Sequence, residues 1–180
     1  MGHFDGEGNL WAQFPFRFGK VTGNFDWRGG KLETLWGAPY EVTGSFIINN
    51  NRLTSIKGAP KIVGGNFDCG NNTLTSLEGT PQSVGGYYFC NDNNITDFRG
   101  IPEYSLHDDS YFICARNPIY SIYALFATPK CVDLINEFDV IRGGDVILDR
   151  LLEVYYVLGM EQPKDFDSLK DSIPEYNLIG

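Results

Sequence analysis

The sequence predicts an α/β solenoid, in which short parallel strands stack into a sheet and helices close one end. Three observations predict this class. Apolar residues, glycines and prolines recur every 21 residues through the first two thirds of the chain. Each repeat contains a short alternation of apolar and polar residues, the pattern of a strand with one buried face. After about residue 118 the apolar spacing changes to three and four, as in amphipathic helices.

Composition limits the class of protein before any motif is considered. The chain has 180 residues, of which 42% are hydrophobic and 21% are charged, and it can bury a core of its own. Its net charge of −9 argues against a nucleic-acid partner. No segment approaches the roughly 18 apolar residues of a membrane span, and the N-terminus lacks a signal-peptide pattern. We therefore expect a cytoplasmic protein with no membrane partner.

The 21-residue period is visible in four columns of residues. They are Val21, Val42, Val63 and Val84; Gly23, Gly44, Gly65 and Gly86; Phe25, Phe46, Phe67 and Tyr88; and Pro39, Pro60, Pro81 and Pro102. A fixed period of this length is the signature of a repeat architecture. Within the repeat, Phe67 and Cys69 alternate with polar neighbours and predict a strand. Leu74 and Leu77 are three residues apart, which predicts a 3₁₀ segment or turn on the outer face.

The repeat resembles a leucine-rich repeat. Its apolar positions close with an asparagine and a further apolar residue, as in Phe67, Cys69, Asn72 and Leu74. The same frame recurs at Phe46, Ile48, Asn51, Leu53; at Tyr88, Cys90, Asn93, Ile95; and, after an insertion, at Phe112, Cys114, Asn117, Ile119. The resemblance implies a sheet of about five parallel strands. It also implies that Asn51, Asn72 and Asn93 bind backbone groups at the bend of each turn.

Finer features resemble particular relatives of this family. The phrase Leu-Thr-Ser-Leu followed by glycine and proline is similar to the short repeats of bacterial secreted effectors. The replacement of leading leucines by Val-Gly-Gly is more similar to leucine-rich-repeat-like proteins carried by tailed bacteriophages, as is the run from 119 to 143. This resemblance implies a phage protein that acts in the cytoplasm of a bacterial host.

The ends of the stack need covers, because each terminal repeat leaves an apolar face. Trp11, Phe14, Phe16 and Phe18 predict an aromatic N-terminal cap, with a cap strand from Phe14 onward. We divide the chain into an N-terminal cap, a solenoid, a helical C-terminal cap and an acidic tail, at residues 1–20, 21–118, 119–160 and 161–180.

Three helices are predicted in the C-terminal third. Asn117 and Pro118 form one helix start, with asparagine as N-cap and proline at the first helical position, and Thr128 with Pro129 forms a second. Asp145 can cap a third helix, which stops at Gly159.

The sequence offers no catalytic or metal-binding constellation. Three of its four cysteines, Cys69, Cys90 and Cys114, fall at one inward position of successive repeats, and no cysteine or histidine spacing suits zinc. The two histidines, His3 and His107, belong to no recognised catalytic motif. We therefore expect no enzyme, no metal site, no catalytic residues and no cofactor.

The predicted binding surface lies on the outward side of the sheet. Residues that alternate with the inward column become apolar toward the last repeats, and we predict that a partner contacts Ile47, Tyr87, Phe89, Tyr111 and Ile113. The alternative is that the C-terminal helices fold over this patch. A secondary acidic surface comprises Glu161, Asp165, Asp167, Asp171 and Glu175, for which the alternative is a solvated tail.

These residues predict a non-catalytic protein-binding module. The expected mechanism is occlusion of a bacterial host protein, with defence-system proteins and nucleases as candidates. A carbohydrate-binding or small-ligand module and a phage structural component remain as alternatives, and a homodimer is compatible with the same patch.

Overall fold

Two stacks of short parallel strands build the first part of the chain. The structure is a computed structural model that describes residues 2–101, 112–126 and 130–180. The first stack is a six-stranded sheet of β1 (Phe4–Asp5), β3 (Phe25–Asp26), β5 (Phe46–Ile47), β7 (Phe67–Asp68), β9 (Tyr88–Phe89) and β10 (Phe112–Ile113). The second is a four-stranded sheet of β2 (Lys20–Val21), β4 (Glu41–Val42), β6 (Ile62–Val63) and β8 (Ser83–Val84).

The backbone pairing follows the 21-residue period. Phe25 pairs with Phe46, Phe46 with Phe67, and Phe67 with Tyr88, so equivalent residues of successive turns lie side by side. Between Lys20 and Phe89, each turn of about 21 residues adds one strand to each sheet, while β1 and β10 extend the first sheet at its two ends. The chain is therefore a parallel β-solenoid of about five turns, and the predicted repeat architecture is confirmed.

The solenoid differs from the prediction in its strands. The main sheet has six strands rather than five, because Phe4 and Asp5 pair with the first repeat. The valine column forms a second sheet that was not predicted, with each valine following a partly or fully exposed residue. The described residues between the sheets form turns and bends and contain no 3₁₀ helix, so that part of the prediction is not confirmed.

The inward column of the main sheet is a stack of aromatic rings. Ring centres of Phe25 and Phe46 lie 5.2 Å apart, those of Phe46 and Phe67 5.8 Å, and those of Phe67 and Tyr88 4.9 Å. All four side chains are buried. Aromatic contacts at this spacing add to the free energy of area burial, and they fix the register of the turns.

A ladder of asparagines closes successive bends, as predicted for Asn51, Asn72 and Asn93, of which Asn72 and Asn93 are buried and Asn51 is partly buried. Asn72 Oδ1 accepts the Leu53 N–H at 2.9 Å, while Nδ2 donates to Ile48 O at 3.1 Å and Cys69 O at 3.0 Å. The others repeat these contacts. Each side chain satisfies backbone groups of two turns at once, which secondary structure alone would leave orphaned.

Asn117 is a further member of this ladder, and its predicted role as a helix cap is wrong. Its Oδ1 accepts the Ile95 N–H at 3.0 Å, and its Nδ2 donates to Cys90 O and Cys114 O at 2.9 Å. The amide is therefore fully engaged in the last turn of the solenoid and does not cap α1 (Ile119–Phe126).

The N-terminal end is covered by aromatic side chains, but through a different strand from the predicted one. Phe14 and Phe18 are buried, whereas Trp11 and Phe16 remain about half exposed. The segment from Phe14 to Phe18 contains bends and no strand. The strand at this end is β1, whose Phe4 ring stacks at 5.3 Å on Phe25.

Helices and a small sheet follow the solenoid. The helices are α1, α2 (Lys130–Glu137), α3 (Leu148–Val157) and α4 (Phe166–Ser172). The sheet comprises β11 (Ile141–Arg142), β12 (Asp145–Ile147) and β13 (Asn177–Ile179). The final segment is tied to the solenoid by the Tyr176 hydroxyl, which donates to Thr96 O at 2.9 Å.

Two predicted helix boundaries can be compared with the structure. Asp145 lies in β12 and does not cap α3, whose N-cap position is Ile147 without a side-chain cap. Gly159 ends α3 as predicted, with a φ of 68° and its N–H donated to Tyr156 O. Thr128 and Pro129 lie outside the described residues. No helix in the described ranges combines the length and apolarity needed to cross a bilayer.

Candidate binding surface

The outward side of the six-stranded sheet, here called the sheet face, carries one side chain per strand in its central row. Because Phe67 and its equivalents point into the core, the residue that follows each of them points outward. The row consists of Asp5, Asp26, Ile47, Asp68, Phe89 and Ile113. Strands of a sheet lie about 4.8 Å apart, so neighbours in this row are in contact range.

The C-terminal half of the sheet face is aromatic. Tyr87 is 43% exposed, and its ring stacks on Phe89 with 5.7 Å between centres and 24° between planes. Phe89 pairs with Ile113 on the next strand, and both are partly exposed. The described C-terminal helices therefore leave this patch accessible. Tyr111, the remaining aromatic residue predicted here, lies outside the described residues.

The predicted set is not one apolar surface. Ile47 is partly exposed on the same face, but Asp68 lies between it and Phe89, since Ile47 pairs with Asp68 and Asp68 with Phe89. The patch thus comprises Tyr87, Phe89 and Ile113 among the described residues, with Ile47 separated from it by a carboxylate.

Asp68 is a partly buried carboxylate with an unusual environment. Its Oδ1 accepts the Gly70 N–H at 3.0 Å, and its Oδ2 accepts a bond from Asn49 Nδ2 at 2.8 Å. Burial raises the pKa of Asp68 above its ordinary value, against the opposing effect of the Gly70 N–H and of Arg28. Within the described residues Asp68 takes part in no salt bridge, in contrast to Asp26, whose carboxylate lies 2.7 Å from Arg28.

An amide oxygen lies beside this carboxylate, over a glycine. A Cβ at Gly70 would lie 3.2 Å from Asn91 Oδ1 and 3.3 Å from Asp68 Oδ1, so these oxygens converge over its backbone. Asn91 Nδ2 donates to Asp92, which turns its Oδ1 away from that contact. Asn49 supports the carboxylate through its Nδ2, while its own Oδ1 is buried and has no hydrogen-bond partner. We call Asp68 Oδ1 and Asn91 Oδ1 the acceptor cluster.

The acceptor cluster was missed by sequence reasoning. Its residues lie in the outward columns of the repeat, where the sequence prediction rests on apolar side chains only. The pattern that could have indicated the cluster is Asn49, Gly70 and Asn91, which occupy the same position in three successive repeats, so that a glycine without a side chain lies between two amides.

The predicted acidic surface is exposed, and one of its members has a structural role. Glu161, Asp167, Asp171 and Glu175 are exposed. Asp165 is exposed as well, and it caps α4 by accepting the Ser168 N–H at 2.7 Å, which lowers the pKa of this carboxyl. Asp165 therefore contributes to helix formation irrespective of any partner.

The cysteine column is packed in the core. Cys69, Cys90 and Cys114 are buried and unoxidised, as is Cys131 in α2. The Cys69 thiol donates to Phe89 O and the Cys90 thiol to Ile113 O, while burial raises the pKa of both. The described ranges contain no group of three potential metal ligands. His107 lies outside those ranges.

No family model, curated protein or solved structure matches this chain. The solenoid is thus established by the register of its own strands, and the resemblances to leucine-rich repeats and to phage proteins have no support beyond the motifs that suggested them.

Two further surface features were not predicted. Trp36 and Phe16 are about half exposed, and the Arg17 guanidinium lies 4.9 Å from the centre of the Trp36 ring. A cavity of about 610 Å³ lies between the solenoid corner at 97–100 and the segment 135–143. Its arginines pair with its own acids, Arg99 with Asp97 and Arg142 with Asp139, so the cavity has little free charge.

Proposed function

We propose that the chain is a non-catalytic protein-binding module whose partner docks on the sheet face. The observation that carries this proposal is the stacked pair of Tyr87, which is exposed, and Phe89, which is partly exposed, on a parallel sheet. Aromatic side chains are the usual anchors of protein interfaces, and a soluble monomer rarely leaves such a patch without use. Each strand beneath the pair is fixed by ladder bonds, so binding orders little backbone.

The partner that the repeat motifs favour is a bacterial protein. The Val-Gly-Gly repeats resemble phage-carried proteins, which supports a phage protein that occludes a host surface. The exposed acids of the final segment support a basic partner, since complementary charge accelerates encounter.

The test is affinity capture from a panel of bacterial lysates with three forms of the protein. The test variant carries Tyr87→Ser and Phe89→Ser, and the matched control carries Tyr40→Ser and Tyr156→Ser, two tyrosines that are more exposed than Tyr87. Circular dichroism checks that each variant folds. We expect one protein to be captured by the wild type and the control and lost with the test variant.

Two results contradict the proposal. They are capture of nothing by the wild type across the panel, and equal capture by all three forms. Binding to a glycan array that depends on Tyr87 would favour the carbohydrate alternative. Sedimentation of the purified wild type as a dimer that the test variant disrupts would identify a second copy of the chain as the partner.

A further inference from the structure

The acceptor cluster can receive hydrogen bonds but offers none. The amide nitrogen of Asn91 is committed to Asp92, and Asn91 Oδ1 and Asp68 Oδ1 converge over Gly70. Asn49 Nδ2 donates to Asp68 Oδ2 and holds the carboxylate in place. The chemistry of the site therefore selects a ligand that is rich in donors.

Charge at the site selects a cation. Asp68 lacks a salt-bridge partner within the described residues, whereas Arg28, the nearest base in the outward columns, is engaged with Asp26. Burial raises the pKa of Asp68, which means that its ionised form is under-solvated and gains from a positive neighbour. An anion would meet a carboxylate and the amide oxygen of Asn91, and the protein as a whole carries a charge of −9.

An aromatic wall makes the site specific for a particular cation. Phe89 is the direct cross-strand neighbour of Asp68, and the Tyr87 ring extends the wall. A guanidinium group can stack on such a ring while it donates in its own plane to a carboxylate, which an ammonium group or a hydrated metal ion cannot do as well. This chain already contains one such contact, that of Arg17 on Trp36.

We propose that the acceptor cluster and the Phe89 ring form a binding site for an arginine side chain of the partner protein. The proposal rests on the proposed function, because the arginine belongs to the protein that docks on the sheet face. The guanidinium donates to Asp68 and to the amide oxygen of Asn91, and its plane lies against Phe89.

The site can be tested without knowing the partner. The probe is the capped tripeptide acetyl-Gly-Arg-Gly-amide, titrated into the isotope-labelled full chain and followed by backbone amide chemical shifts. We expect saturable shifts at Asp68, Gly70 and Asn91 with a dissociation constant of about 1–10 mM, the range of a single anchored side chain. The lysine peptide should bind more weakly, and the citrulline peptide, which is isosteric but uncharged, should cause no shift.

Matched variants separate the site from general acidity. Asp68→Asn keeps the shape of the side chain but replaces one acceptor oxygen with an NH₂ donor and removes the charge, and it should weaken the binding of the arginine peptide at least ~10-fold. Asp167→Asn removes an exposed charge on α4 and should have no effect. Phe89→Leu preserves an apolar side chain and should weaken binding several-fold through loss of the stacked ring.

Four results overturn the inference. They are the absence of saturable shifts at these amides, equal binding of the citrulline peptide, equal binding by the Asp68→Asn variant, and shifts of the same amides by calcium chloride but not by the peptide. The two proposals fail separately. If the protein does not bind the peptide, and lysate capture depends on Tyr87 and Phe89 but survives Asp68→Asn, the proposed function stands and the arginine site is rejected. If the protein binds the peptide but captures no protein from any lysate, the arginine site stands and the proposed function is rejected.

Discussion

Replacing Asn72 with alanine tests whether the asparagine ladder holds the solenoid together. The change leaves the Leu53 N–H without a partner in a buried site, because its only recorded acceptor is Asn72 Oδ1. It also removes one bond each from Ile48 O and Cys69 O, which keep their bonds to the neighbouring Asn51 and Asn93. An orphaned buried donor costs about 1–3 kcal/mol and each lost bond about 0.5–1.5 kcal/mol, so we expect the free energy of unfolding to fall by about 2–6 kcal/mol.

The measurement is urea denaturation followed by far-ultraviolet circular dichroism, with Asn94→Ala as the control. Asn94 is exposed, and no side-chain hydrogen bond is recorded for it in the described part of the chain. Asn72→Asp sharpens the test, since aspartate can still accept from Leu53 but presents an oxygen to two carbonyls. We expect it to be at least as destabilising as alanine at pH 7. A loss below about 1 kcal/mol for Asn72→Ala, which is the size of one average hydrogen bond, or a tolerated aspartate, would refute this account of the ladder.

Three further predictions concern the core, the turns and the surface. Burial raises the pKa of Cys131 to about 12, and the remaining cysteines are buried too, so all four thiols should resist a disulfide reagent at pH 8 and react fully in urea. Gly85→Ala places a Cβ 2.3 Å from a carbonyl oxygen of the preceding turn and should cost about 1–3 kcal/mol in urea denaturation, whereas Gly144→Ala meets open space and should be neutral. Hydrogen bonding to Arg116 lowers the pKa of Asp92 to about 2, so the stabilisation from this pair is present above pH 4 and is lost as the pH falls toward 2. Carboxyl NMR titration should report that value and a return toward the ordinary range in Arg116→Gln; an unchanged pKa in the variant would contradict the pairing.

The repeat period and the asparagine ladder could be predicted from the sequence because the same residue types recur at the same position of several repeats. Asn72 alone would be an ordinary turn residue, but its recurrence at 21-residue steps places it at one structural position in each turn. The displaced Asn117 could be assigned to the same ladder by its frame, yet its neighbour Pro118 also suggested a helix cap. The Asn117 side-chain oxygen accepts the buried Ile95 N–H, which has no access to water. The N–H groups at the start of a helix can instead be solvated by water, so they need a side-chain acceptor less.

The second sheet and the N-terminal strand could not be predicted, because strands of two residues have no alternation to detect. Val63 is one buried residue after the exposed Ile62, and only its pairing with the equivalent valines identifies a strand. The opposite error occurred from Phe14 to Phe18. The rings alternate in the sequence as a strand would, but Phe16 is about half exposed while Phe14 and Phe18 are buried. The backbone bends, and from this segment the Phe18 N–H donates to Gly37 O of the first turn.

The candidate site could be predicted only as far as the backbone determines it. Alternation placed Phe89 and Ile113 on the outward face, and the structure agrees. The acceptor cluster depends instead on which way the Asn91 amide and the Asp68 carboxylate are turned, and that follows from their contacts with Asp92 and with Asn49 of the preceding turn. The residue type at a repeat position does not determine how its side chain is oriented, so this part of the site could not be predicted from the sequence.

The division between the two sides of the sheet indicates where function can vary. Inward positions hold Phe25, Phe46 and Phe67 in one stack, so changing any of them disturbs the rings above and below. Apolar residues at outward positions are not packed into such a stack, since Ile47 and Phe89 do not belong to the core. Substitutions there should change binding while the free energy of unfolding moves within about 0.5 kcal/mol, the usual range for surface sites. A solenoid with a self-sufficient interior does not need the Tyr87–Phe89 ring pair for its core, and for that reason we propose that this pair and Asp68, which forms no salt bridge with the described residues, serve recognition.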